Sequence, residues 1–259
     1  METRAEGSAM RERGGDLLVI LPTFNERESL ARTVAAVRTH VPDADVLVVD
    51  DGSPDGTGRI ADALARAHEG VFVSHRTGPR GLGTAYVHAF GLARSAGYRL
   101  VAEMDADGSH LASDLPRLVT AVRAGAGLAI GTRWIEGGGI VNWPRHRRWI
   151  SRCGTGFARI ALRSRLRDLT SGFRVIDDAW LGRIDLDSVD SQGYGFQVET
   201  AWMLERVGCP VAEVPITFVE RTDGRSKMSL GIACEALRNV VRWGWRIRFG
   251  RTESGRRHG

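Results

Sequence analysis

Short apolar runs alternate with longer amphipathic stretches through the first half of the chain. Leu17–Leu21, Val46–Val49, Val71–Ser74, Leu100–Met104 and Leu128–Gly131 each read as a buried parallel strand. Between them, apolar positions recur at helical spacing. They predict helices from about Ser29 to His40, from Ser53 and Pro54 towards Ala67, from the Gly78–Gly83 loop to about Ala96, and over Leu115–Arg123. Asn25 with Glu28 resembles a capping box. Ser53 reads as an N-cap with Pro54 at the first helical position. Strands alternating with helices argue for a doubly wound α/β sheet. After Thr132 the pattern loosens. Trp134–Pro144 is a loop of glycines and large apolar residues, followed by expected helices over Arg147–Arg165 and Phe196–Val207. Val211–Val214 and Ile216–Val219 read as short strands around Pro215, and Met228 to about Phe249 as a final helix. Residues 1–16 and 250–259 are expected to be disordered ends on a single domain spanning 17–249.

A chain of 259 residues with 42% apolar and 26% charged positions has the makings of one ordinary globular core. Cys153, Cys209 and Cys234 are scattered without metal-ligand spacing, which fits a reducing compartment. The first fifteen residues are polar and lack an apolar export segment, and no apolar run of eighteen or more occurs. Charge changes this picture. Residues 133–167 carry nine arginines against Glu136 alone. Residues 225–259 carry eight arginines and Lys227 against Glu235 and Glu253. The whole chain is only +5, so two basic segments stand on an acidic remainder. Phosphate groups and anionic lipid are the partners such segments suit. No nucleic-acid recognition motif accompanies them, so nucleic acid is not an expected partner.

The chemistry concentrates where strands end. Asp50-Asp51-Gly52-Ser53-Pro54-Asp55-Gly56-Thr57 follows the second apolar run, and Asp105-Ala106-Asp107 follows the fourth. Ligands of open α/β sheets bind beyond the carboxyl ends of the strands. Asp105 and Asp107 can hold a hard divalent cation that bridges diphosphate oxygens, and Asp51 can accept hydrogen bonds from a nucleoside. The pattern points to a nucleotide-diphosphate site, most simply for a nucleotide sugar. A Rossmann cofactor site is disfavoured, because Gly81-Leu82-Gly83 has no third glycine at the required spacing.

An ordered series extends these motifs: Leu21-Pro22-Thr23-Phe24-Asn25-Glu26, Gly81-Leu82-Gly83-Thr84-Ala85-Tyr86, Gly131-Thr132-Arg133, Asp168-Leu169-Thr170-Ser171-Gly172-Phe173-Arg174 and Gly193-Tyr194-Gly195-Phe196-Gln197. Val214-Pro215-Ile216-Thr217-Phe218, Arg221 and Ser226-Lys227 close it. The series resembles the polyprenol- or dolichol-phosphate mannose synthases, family 2 glycosyltransferases, and most of all their actinobacterial polyprenol monophosphomannose type. The resemblance implies the GT-A fold: a mixed, mostly parallel sheet flanked by helices, with a C-terminal amphipathic helix. It implies GDP-mannose as donor, a polyprenyl phosphate as acceptor and Mg²⁺ or Mn²⁺ as cofactor. Pro22, Phe24, Glu26, Val49 and Asp51 would hold the guanosine. Asp105, Ala106 and Asp107 would hold metal and diphosphate, with Ser109 completing the metal shell, and Arg133, Arg221 and Lys227 would contact phosphates. Phe24 departs from the commoner Tyr, and Gly108 from the usual Leu.

A phosphate acceptor is already anionic, so no general base is required and direct attack would invert the anomeric centre. Asp107, Arg133, Arg221 and Lys227 are the residues expected to carry transfer. Lys227 is the single lysine among 36 lysines and arginines, which argues that a compact ammonium is needed there. Arg133, Arg147 and Ser151 are candidates for the acceptor phosphate, the last two four apart on one helix face. Arg148, Arg152, Arg159 and Arg163 follow a second stripe. Trp134, Ile135, Ile140, Val141 and Trp143 offer an apolar path for the lipid tail. Arg174 reaches a phosphate or braces the Thr170–Phe173 loop. On the final helix Leu237, Val240, Val241 and Trp245 share one face and Arg238, Arg242 and Arg246 another, as in helices that lie in a membrane interface. The expected location is cytoplasmic, peripheral on the inner face of the cell membrane, with room for a separate membrane-anchoring protein. UDP-glucose as donor, or a non-catalytic nucleotide-sugar or lipid-binding subunit, are the rival readings.

Overall fold

The computed structural model describes residues 10, 15–189, 191, 193, 195–220 and 237–245. Its first half is the expected alternation: β1 (Leu17–Thr23), α1 (Leu30–His40), β2 (Asp45–Asp50), α2 (Thr57–Ala67), β3 (Val71–His75), α3 (Leu82–Ala96), β4 (Leu100–Glu103), α4 (Leu115–Arg123) and β5 (Leu128–Thr132). Then come β6 (Gly139–Val141), α5 (Arg145–Leu162), β7 (Arg174–Asp177), α6 (Gly195–Arg206), β8 (Val211–Pro215), β9 (Thr217–Val219) and a helical segment, α7, at 237–245. Seven strands form one sheet in the order β3-β2-β1-β4-β7-β5-β8, and β6 pairs with β9 beside it. All ladders of the large sheet are parallel except those of β7, which runs antiparallel between β4 and β5.

Both sheet faces are covered, which is why the strands read as continuous apolar runs. Leu18, Ile20, Leu47, Val49 and Val101 face a core completed by α3, α6 and the inner sides of α5 and α7. Leu17, Val19, Val46, Val48 and Ala102 face the other, against α1, α2 and α4. The chain leaves β1 towards β2 and β3 on one side and returns to β4 on the other, so the carboxyl ends of β1 and β4 flank a topological switch point.

Local signals were less faithful than the periodicity. The capping box does not form: α1 starts at Leu30, and its N-cap, Ser29, makes no side-chain cap bond. Asn25 instead adopts a left-handed φ of 57° and donates its N–H to Ser53 Oγ at 3.0 Å. Ser53 is no N-cap, because its hydroxyl is spent on Asp50 Oδ1 at 2.5 Å. The chain turns until Gly56, at φ 93°, where α2 begins. The long basic helix covers Arg145–Leu162 rather than Arg147–Arg165. β7 had no sequence signal, since Arg-Val-Ile-Asp is four residues long and begins with a charge.

Candidate active site

The residues expected on the donor side sit at the ends of β1, β2 and β4. Pro22 lies opposite Val49, and Thr23 opposite Asp50. Asp50 is structural: it accepts from Thr23 Oγ1, Ser53 Oγ and the Ser53 amide. Asp51, nearly buried, accepts the Gly81 amide at 3.0 Å and pairs with Arg76. Arg80 donates from Nε to the Asp51 carbonyl at 3.0 Å, and its guanidinium lies 4.7 Å from the centre of the Phe24 ring. Glu26 is tied in through its amide, which donates to Thr57 Oγ1 at 3.0 Å. Pro22, Phe24, Glu26, Val49 and Asp51 therefore do line one strand-end region. Arg76 and Arg80 join them, and sequence reading had passed both over. Their signal was placement alone, since Arg76 follows directly on β3 and Arg80 precedes the Gly-Leu-Gly turn.

The Asp105–His110 loop is held from several directions. The Ala106 carbonyl accepts Thr33 Oγ1 at 3.0 Å, anchoring the loop to α1. Asp107 Oδ1 accepts the Ser109 amide at 2.9 Å, and Gly108 turns the chain at φ 78°. His110 is buried and accepts the Asp105 amide at Nδ1, 3.1 Å away. Burial pushes its imidazole down to about 4, with Asp107 pulling the other way, so the ring is neutral and carries its proton on Nε2. An Nδ1 used in this way is withdrawn from any metal. Ser109 Oγ, by contrast, is buried without a hydrogen-bond partner. An orphaned hydroxyl in the same short loop as two carboxylates supplies the kind of oxygen donors a hard divalent cation would take. No group of three or more His, Cys, Asp and Glu among the described residues could hold a metal by itself. Asp105, Asp107 and Ser109 are the residues of this loop whose chemistry suits such a cation.

Beneath the loop lies a polar layer. Glu103 and Arg174 are opposite each other on β4 and β7 and fully buried. Burial pushes the Glu103 carboxyl up against the pull of Arg174. Arg174 donates to Thr200 Oγ1 and to the carbonyls of Leu169 and Gln197. Fully buried, it braces the loop against α6, the second of its two expected roles.

The residues expected on the acceptor side are arranged differently. Arg133 donates through Nε and Nη2 to buried Asp168 at 2.8 and 2.7 Å, and through Nη2 to Thr170 Oγ1. Most of its fork is therefore structural, and only Nη1 remains for a phosphate. A groove of about 310 Å³ runs beside it, lined by Trp134, Ile135, Ile140, Arg148 and Arg152. Arg152 stacks over Trp134 at 5.5 Å, and Arg148 donates to the Ile140 carbonyl. Arg147 and Ser151 do not line this groove. Arg147 pairs with Glu220 and lies over Trp143. The second arginine stripe, not the first, faces the apolar path. Trp143 drops out of that path because it is buried, packed edge-on against Phe218 at 5.4 Å. Phe218 joins the two halves: His110 of the metal loop stands edge-on to its ring at 5.4 Å, and the Arg133 guanidinium lies 5.4 Å from its centre. Arg221 and Lys227 lie outside the described residues.

The glycosyl transferase family 2 profile matches residues 18–185. The chain is a family 2 glycosyltransferase. It is 51% identical over 233 residues to an undecaprenyl-phosphate mannosyltransferase of Micrococcus luteus, covering 90% of this chain and 96% of that one. It is 48% identical over 235 residues to the polyprenol monophosphomannose synthase of Mycolicibacterium smegmatis, covering 90% and 89%. Among solved structures, glucosyl-3-phosphoglycerate synthase from Mycobacterium tuberculosis with Mn²⁺ and UDP-glucose superposes with a TM-score of 0.64 at 19% identity, covering 98% of this chain and 85% of that one. That likeness establishes the GT-A-like fold of this family 2 enzyme.

Proposed function

We propose that this glycosyltransferase moves mannose from GDP-mannose to a polyprenyl phosphate, with inversion, at a membrane surface. One juxtaposition carries the reading: a carboxylate-bearing strand edge meets an arginine groove with apolar walls across the shared Phe218 ring. The names of the two relatives, at about half identity over nine-tenths of the chain, agree with it. Pro22, Phe24, Glu26, Val49 and Asp51 hold the guanosine. Asp105, Asp107 and Ser109 would hold a divalent cation, Mg²⁺ or Mn²⁺, that would neutralise the departing diphosphate, and Ala106 would lie beside the diphosphate. Arg221 and Lys227 share that task. Arg133 Nη1 with Arg148 and Arg152 holds the acceptor phosphate. A phosphate oxygen attacks the anomeric carbon as its bond to the diphosphate breaks. No proton moves, which suits a groove without a base.

The membrane part of the reading rests on α5. Trp149, Ile150, Phe157 and Ile160 fall on one face of that helix and are all exposed, Trp149 and Ile160 at 73%. Arg145, Arg148 and Arg152 lie alongside them. On α7, Leu237, Val241 and Trp245 also face outward, whereas Val240 and Trp243 pack inward. Exposed aromatic and aliphatic stripes flanked by arginines suit an anionic lipid surface. No described helix is long and apolar enough to cross a membrane.

The decisive experiment measures transfer of labelled mannose from GDP-mannose into an organic-extractable product with Mg²⁺ or Mn²⁺ and a short polyprenyl phosphate. Metal-dependent transfer, lost in Asp107→Ala and Lys227→Ala, establishes the reaction. Transfer only from UDP-glucose overturns the donor. Retained GDP binding without turnover from any donor makes the chain a binding subunit.

A further inference from the structure

The polar layer beneath the Asp105–His110 loop holds more donors and acceptors than its own bonds use. Val101 and Glu103 share the face of β4 that α3 and α6 cover, and Asp105 follows two residues on. Glu103, Tyr86 of α3 and Gln197 of α6 are all but completely buried. Among the described residues, Tyr86 Oη, both Glu103 carboxyl oxygens, Arg174 Nε and both side-chain amide atoms of Gln197 make no well-formed hydrogen bond. Groups of this kind are rare in a folded interior, because each one left unpaired costs its hydration.

Gln197 is the member of the layer with a donor to spare. Its backbone is fixed, since its carbonyl accepts Arg174 Nη2 at 2.6 Å. Burial raises the Glu103 carboxyl, and Arg174 and then the nearby Gln197 amide draw it back down. An amide nitrogen carries two N–H donors, so Glu103 leaves one over. Gly172 opens a path for it. A Cβ at that position would lie 3.5 Å from Gln197 Nε2 and 3.8 Å from Asp105 Oδ1, so both groups border the space that the missing side chain leaves. The other Asp105 oxygen, Oδ2, is the one near His110, 3.7 Å from Nδ1. We infer that Gln197 is a positioning residue for the cation site: one N–H of its amide bonds Asp105 Oδ1, directly or through one water, and fixes the rotation of that carboxylate towards the metal. A neutral donor behind a ligand orients it without cancelling its charge. The inference rests on Asp105 as a metal ligand and adds to that reading the residue that orients it. It also gives a use to Gly172 and Gln197, which belong to two sequence motifs that the transfer chemistry leaves unassigned.

Titration of Mn²⁺ followed by electron paramagnetic resonance, with saturating GDP, tests it in the wild type, Gln197→Met and Tyr86→Phe. Methionine keeps the length of the side chain and removes the N–H. Gln197→Met should weaken Mn²⁺ binding by about 10- to 100-fold, the usual effect of losing a group that orients a metal ligand. Saturating Mn²⁺ should restore most of its mannosyl transfer, because the ligands themselves remain. Tyr86→Phe removes a different unpaired group from the same layer and should leave Mn²⁺ affinity level. Equal weakening in both variants means a general loosening of the layer and overturns the inference, as does unchanged Mn²⁺ binding in Gln197→Met. If Gln197→Met does not fold, a crystal structure of the wild type with Mn²⁺ and GDP decides. Nε2 within about 3.2 Å of Asp105 Oδ1, or of a water bonded to it, bears the inference out, and an amide turned wholly to Glu103 overturns it. A wild type that binds no Mn²⁺ with either GDP or UDP overturns the metal reading itself, a result distinct from the others.

Discussion

The proposed donor edge and the proposed acceptor groove are made of opposite materials. On the donor side, carboxylates are fixed in advance by short bonds: Asp50 by Thr23 and Ser53, Asp51 by Gly81 and Arg76, Asp107 by the Ser109 amide. On the acceptor side arginines lie on aromatic rings, Arg133 and Arg152 over Trp134, and the neighbouring helix face is open apolar surface. The difference follows from where charge appears. A departing diphosphate gains negative charge during transfer, so the groups that hold its cation must be placed before reaction starts. An acceptor phosphate arrives already charged on a lipid, so its side needs cations and a surface the lipid tolerates.

Substitutions should separate the two sides. The largest effect is expected for Asp107→Ala, which should lower kcat/KM by about 10³-fold or more, in line with removal of a principal electrostatic stabiliser. Steady-state kinetics should show acceptor KM nearly unchanged. Next, Arg174→Leu should cost about 3–5 kcal/mol in denaturant unfolding, because it removes the donors to Thr200 Oγ1 and to the carbonyls of Leu169 and Gln197 and the cation that faces buried Glu103. Adding Glu103→Leu should restore part of that loss, and a double variant as unstable as the single one would refute the electrostatic coupling of the two groups. On the other side, Arg148→Ala with Arg152→Ala should raise the acceptor KM by about 10- to 100-fold, the scale of lost charged hydrogen bonds. GDP affinity should stay level, and a matching loss of GDP binding would erase the division into halves. The smallest effect is expected at the lipid face. Trp149→Ser should reduce binding to anionic vesicles by up to about tenfold, within the scale of burying one large apolar side chain. In a Cys234→Ser background the same vesicles should slow maleimide labelling of exposed Cys153. Cys209 should stay unlabelled, since it is buried and burial pushes its thiol up to about 12.

Legibility also divides along these halves. The five parallel strands and their helices were readable because buried strands of this kind are apolar on both faces and short. The two acidic strand ends were readable as motifs, but not their division of labour: Asp50 and Asp55 hold neighbouring turns together. The capping signals at Asn25 and Ser53 misled for a physical reason: both residues serve a contact between two loops that are 28 positions apart. In the acceptor half, Arg147 and Arg148 are adjacent in sequence, yet one pairs with Glu220 and the other lines the groove. Helical spacing says which arginines share a face, but not which face meets Trp134.

The sequence by itself determined the layered α/β architecture, the two acidic strand ends, the concentration of arginine after Thr132 and the family to which these belong. Those are properties of local periodicity and of motifs a few residues long. Tertiary structure alone decided that Arg174 is a brace, that Arg133 is mostly committed to Asp168, that Trp143 is buried and that Arg76 meets Asp51. Each of these depends on a partner between 5 and 75 residues away, or on an antiparallel strand whose four residues carry no pattern of their own. A charged side chain is defined by what lies across from it, and that is fixed only when the chain has folded.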